Sequence, residues 1–85
     1  MMIKYFAIYD EKAQLFGQLF PSHTMGSAQR SFQELINNPD TPQAKFPADF
    51  TLYSIFDFDD TTGQIIESYV PPVHVCRATD LISQS

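Results

Sequence analysis

Residues 2–9, Met-Ile-Lys-Tyr-Phe-Ala-Ile-Tyr, are mostly β-branched or aromatic and stop at Asp10-Glu11, which predicts a strand. A looser stretch follows, with a short strand at Leu15–Phe20 that Pro21-Ser22 breaks. Thr24 then stands where a helix N-cap belongs, and Ala28, Phe32, Leu35 and Ile36 fall at i, i+4, i+7 and i+8. This spacing predicts one amphipathic helix from Met25 to Asn37, with Gln29, Arg30, Gln33 and Glu34 off the apolar stripe. Asn37-Asn38-Pro39-Asp40 stops the helix, because proline cannot continue it. Residues 39–49, with Pro39, Pro42 and Pro47, read as a loop. Phe50–Asp59 is the strongest strand, and Gln64–Val70 is its return. A three-residue loop of Thr61, Thr62 and Gly63 fits between them, with Gly63 in the left-handed position. Pro71-Pro72 is expected to end the hairpin, and residues 73–82 to hold a short strand and a helical turn. The class is α+β: a small antiparallel sheet of three to five strands with one main helix on one face, in one domain over residues 1–85.

Side chains alternate between the two faces of a strand. Phe6 therefore goes with Lys4 and Ile8, and Tyr5 with Tyr9. In the long strand Phe56 and Phe58 go with Leu52, while Tyr53 shares the other face with Ile55. The proposed turn pairs Phe58 with Ile66, Asp57 with Glu67 and Ile55 with Tyr69. Phe and Tyr thus separate by face. Phe has no polar atom and Tyr has a wet end, so the Phe face is expected to carry the core under the helix, with Phe32 against Phe56 or Phe58. The Tyr face suits the capping of a core edge, a dimer contact or a stacking platform for nucleic acid.

Composition narrows the partners. The chain of 85 residues has 44% hydrophobic and 14% aromatic residues, too apolar for a disordered segment. Its only cysteine, Cys76, excludes an intrachain disulfide and suits a reducing compartment. No apolar run approaches the ~20 residues of a membrane span. The first residues lack the head, apolar stretch and cleavage site of a signal peptide, so the whole chain is expected to stay in the cytoplasm. Ten acidic against five basic residues give a net charge of −5, which counts against coating of nucleic acid by charge alone. The cations Lys4, Lys12, Arg30, Lys45 and Arg77 are scattered, and folding must gather some of them to contact phosphates.

Candidate chemistry is sparse. His74-Val75-Cys76 sets an imidazole and a thiol on one side of a strand, but a zinc site needs about four ligands and only His23 is left. Asp57–Gly63 resembles a calcium loop, yet Thr61 occupies its fifth position, Gly63 comes one late and Glu67 one early. A hairpin turn explains the run. No phosphate loop, dinucleotide fingerprint or nucleophile elbow occurs, so no catalytic residue, metal ligand or cofactor is expected and the chain reads as a binding protein rather than an enzyme.

One ordered series of segments runs Phe6 through Ala13, Leu19-Phe20-Pro21, Thr24 through Asn38 with Gly26, Ala28, Arg30 and Phe32, Pro39-Asp40-Thr41, Phe46 through Tyr53, then Phe58-Asp59-Asp60 and Gly63. This series resembles a known family, the small nonstructural protein of gokushoviruses, which are single-stranded DNA phages of the Microviridae. The resemblance implies a non-enzymatic, DNA-binding protein of genome replication or packaging, found in the cytoplasm of the infected host and not in the virion. It brings no residue-level motif. From the residues themselves, Tyr5, Tyr9, Tyr53 and Tyr69 are the candidates to stack on bases of single-stranded DNA, and Lys4, Lys12, Arg30, Lys45 and Arg77 the candidates for phosphates, in a homodimer. The alternative is a protein–protein adaptor whose acidic surface recruits a basic phage or host protein.

Overall fold

A computed structural model describes residues 1–82. The strands are β1 (Met2–Asp10), β2 (Leu15–Phe16), β3 (Phe20–Ser22), β4 (Phe50–Asp59) and β5 (Gln64–Arg77). Helix α1 covers Met25–Asn37 and the short α2 covers Pro42–Lys45, and 3-10 turns form at Pro47–Asp49 and Ala78–Leu81. The five strands make one curled antiparallel sheet in the order β2-β1-β4-β5, with β3 also paired to β1. The class is α+β, as the sequence predicts.

Helix α1 starts where the Thr24 side chain accepts the Ser27 N–H, while the Ser27 hydroxyl accepts the Thr24 N–H. This reciprocal cap satisfies donors that an open helix end leaves bare. The Ser27 hydroxyl is also hydrogen-bonded to Ser22 of β3, which ties the helix start to the sheet. Ala28, Phe32 and Ile36 are buried, and Leu35 at the edge of the stripe is partly exposed. They pack with Phe6, Phe50, Leu52, Cys76 and Ala78 in one cluster, which Ile8, Phe20, Val75 and Leu81 border.

Several expectations fail for identifiable reasons. Phe56 and Phe58 do not pack under the helix. Tyr5 pairs with Phe56 but Phe6 pairs with Ser54, so Ile55 is an extra residue in β4. Such a bulge inverts the alternation beyond it. Phe50, Leu52 and Ser54 keep to the helix side, whereas Phe56 and Phe58 join Tyr5 on the other face. Asp57 takes the helix-side position in their place. The hairpin loop has four residues, because Asp59 stays paired with Gln64 and the Gly63 N–H closes on the Asp59 carbonyl. Phe58 therefore pairs with Ile65 rather than Ile66, although Asp57 does face Glu67. Gly63 has φ +77°, the left-handed geometry expected of it.

The prolines break less than expected. Pro21 lies within β3 opposite Tyr5, on a short flanking strand that tolerates a missing donor. Pro71 and Pro72 lie inside β5, in a bulge between Ser68, opposite Phe56, and Val73, opposite Ser54. Residues 39–49 hold two short helical turns, with Pro42 and Pro47 at their first positions and Thr41 capping α2 through the Ala44 N–H.

Candidate nucleic-acid interface

The sheet face opposite the core carries a row of aromatic rings. The register sets Tyr9 of β1 beside Phe16 of β2, and Tyr53 of β4 beside His74 of β5. Ring centroids are 4.8 Å apart for Tyr9–Phe16, 6.3 Å for Tyr9–Tyr53, 5.5 Å for Phe16–Tyr53 and 5.9 Å for Tyr53–His74. Each of the four strands in sheet order thus contributes one ring. The planes meet steeply, at 88° for both Tyr9–Tyr53 and Tyr53–His74. Edge-to-face packing of this kind is a preferred arrangement for aromatic pairs. Phe16 is 45% exposed, and His74 is exposed at the outer end of the row.

A second aromatic group lies toward the β4–β5 hairpin. Tyr5 lies flat on Phe56, with centroids 4.9 Å apart and an interplanar angle of 14°, and Phe58 meets Tyr5 edge-on at 6.0 Å. Ala7, buried between Tyr5 and Tyr9 on the same face, separates the two groups.

Tyr69 is not with the other tyrosines. The bulge that frees Ile55 leaves Tyr69 without that partner, and its hydroxyl donates to Asp57 Oδ2 at 2.7 Å on the helix side of the sheet. This bond, then desolvation, raises its pKa from 10.0 to about 12. Lys4 is on the same side, with Nζ 3.6 Å from Asp57 Oδ1. Asp57 is 6% exposed, and Oδ1 has no hydrogen-bond donor.

The cations do not converge. Arg77 pairs with Thr51, the neighbour of Tyr9, and so lies at the Tyr9 end of the aromatic face. Lys12 is in the turn after β1, and with Tyr9, Glu11, Gln14 and Asp49 it lines a shallow hollow. Arg30 and Lys45 are exposed on α1 and α2, and Lys4 is held at Asp57. Acidic groups crowd the hairpin end. There the Met1 amine is 2.9 Å from Asp60 Oδ1 and 3.5 Å from Asp59 Oδ1. The hydrogen bond to Asp60 is the main cause of its raised pKa, while the Thr61 N–H chiefly holds Asp59 below its usual range.

Sequence reasoning missed Phe16 and His74 as members of the row. It set His74 and Cys76 on one face, but the register shift between Leu52 and Tyr53 places Cys76 in the core against Leu52 and His74 beside Tyr53. Burial pushes the Cys76 thiol up, which favours the uncharged, unreactive form. Among the described residues no three His, Cys, Asp or Glu side chains form a group able to hold a metal, and no helix is long and apolar enough to cross a membrane.

The chain belongs to the family described as Phage ORF5 protein, whose model matches residues 3–81. It is therefore a bacteriophage protein. Neither a curated protein nor a solved structure matches it.

Proposed function

We propose that this phage ORF5 protein binds single-stranded DNA during genome replication or packaging of a gokushovirus, in the cytoplasm of the infected host, and that it binds without catalysing a reaction. The observation that carries this reading is the row Phe16–Tyr9–Tyr53–His74 on the sheet face that the helices leave free. Every base has a π-face, so an aromatic row binds unpaired bases without regard to sequence. Few cations reach this face, so stacking supplies most of the affinity. A homodimer accompanies the reading, since Ile65, Ile66, Val70 and Val73 leave apolar surface exposed along β5.

The acidic hairpin end, with Asp59, Asp60 and Glu67, supports the rival reading of an adaptor for a basic protein. Competition between a labelled oligothymidylate and unlabelled competitors separates the two. Unlabelled single strand should displace the probe well before a duplex of equal length does, because a duplex hides its base faces. A protein that leaves the probe free at low salt would favour the adaptor.

A further inference from the structure

We infer that the DNA site is only one half of the aromatic face: the row Phe16–Tyr9–Tyr53–His74, which takes about four nucleotides of a single strand with its phosphates at the Arg77 end. This inference rests on the DNA-binding reading and names residues and a footprint within it.

The first argument is the stacking geometry. Tyr5 and Phe56 already cover each other in a nearly parallel stack, at 4.9 Å and 14°, and Phe58 closes on Tyr5 edge-on. A base entering there must displace a ring that is already satisfied. In the other half the interplanar angles are 56° to 88°, so no two rings are stacked face on face. The exposed members, Phe16 and His74, stand at the two ends of that row.

The second argument is charge. Arg77 is level with Tyr9 and Thr51 across the sheet, and Lys12 lies in the turn just beyond Tyr9. At the Tyr5 end Lys4 is engaged with Asp57, and Asp59, Asp60 and Glu67 surround the hairpin. The cations of that end, Lys4 and the Met1 amine, are engaged with these carboxylates and are not offered to a phosphate backbone. Glu11 and Asp49 near Lys12 weaken its contribution, and the Asp80 carboxylate accepts the Arg77 backbone N–H at 3.0 Å, so Arg77 is the main phosphate contact but a partly offset one.

The length follows from the ring spacing. Phe16 is 5.5 Å from Tyr53 and Tyr53 is 5.9 Å from His74, so the rings reach about 11 Å at most. A stacked strand advances ~3.4 Å per nucleotide, so the three steps between four nucleotides match that reach.

The test measures oligothymidylate binding by fluorescence anisotropy, with thermal melting to confirm folding. Phe16→Leu and His74→Ala, both at exposed positions, should each weaken binding, by about fivefold to a hundredfold for one lost stacking partner. Tyr5→Leu and Phe56→Leu keep apolar volume and should bind within about twofold of the parent protein, a difference well below one stacking contact. Affinity should stop rising beyond about four thymidines. Equal losses from both pairs, or losses only from Tyr5→Leu and Phe56→Leu, would overturn the half-face assignment while leaving DNA binding intact. A parent protein that binds no oligothymidylate removes the DNA reading and this inference together.

Discussion

Tyr69 and Asp57, twelve residues apart on β5 and β4, share a 2.7 Å hydrogen bond that holds a carboxylate 6% exposed. Lys4 approaches the other oxygen at 3.6 Å. Asp57 is thus a buried acid with a phenol on one side and an ammonium on the other. This gives Lys4 and Tyr69 a structural task and removes both from the aromatic face.

The Tyr69 bond predicts an alkaline stability loss. The folded-state pKa of about 12 exceeds the unfolded value of 10.0, so the stabilisation is complete below 10 and disappears as pH rises from about 10 to about 12. Tyr69→Phe should lose the corresponding stability at neutral pH, about 1.5–3 kcal/mol for a hydrogen bond to a charged group. Urea titrations across this pH range check it, and the variant should show a smaller alkaline decline than the parent protein.

Lys4→Met should destabilise the fold by about 1–3 kcal/mol, because it leaves a buried carboxylate oxygen uncompensated. Its effect on the salt dependence of DNA binding should be close to nil. A variant with normal melting and a shallower salt slope would instead make Lys4 a phosphate contact.

Phe32 is fully buried between α1 and the sheet, in the cluster of Phe6, Phe50 and Leu52. Phe32→Ala should cost about 3–5 kcal/mol, a large part of what a small domain has. Leu substitutions at Phe56 or Phe58 should cost much less, since neither belongs to that cluster. Thermal melting compares the three.

The homodimer is checked by sedimentation at micromolar concentration, where about twice the chain mass is expected. Charged substitutions at Val70, 89% exposed, and Ile66 should shift the protein toward monomer if β5 forms the contact.

Local signals carried the elements well. Thr24 and the Ala28–Phe32–Ile36 stripe predict α1 with its observed bounds, and Gly63 marks the turn. Faces were legible only until a bulge intervened. The tyrosines of β1 and Tyr53 stand where alternation puts them, but the single extra residue Ile55 moves Phe56, Phe58 and Asp57 to the opposite faces. Nothing in the run Phe50–Asp59 marks that residue, because Ile55 itself favours strand. The prolines of β5 misled for a related reason. A bulge accommodates them, so the strand continues to Arg77 and carries His74 to Tyr53. The row therefore joins residues from four strands, whose register depends on tertiary pairing rather than on local composition.

The most direct measurement of the central claim is the affinity for a short oligothymidylate as a function of salt concentration. Each phosphate contact to a single strand contributes about 0.7 to the slope of log affinity against log salt. One or two contacts, Arg77 with a lesser share from Lys12, give a slope of about −0.7 to −1.4, so binding should be weak yet fairly salt-tolerant. A much steeper slope would show that the cations cluster on the strand in a way this fold does not provide. The absence of any binding at low salt would contradict the account outright.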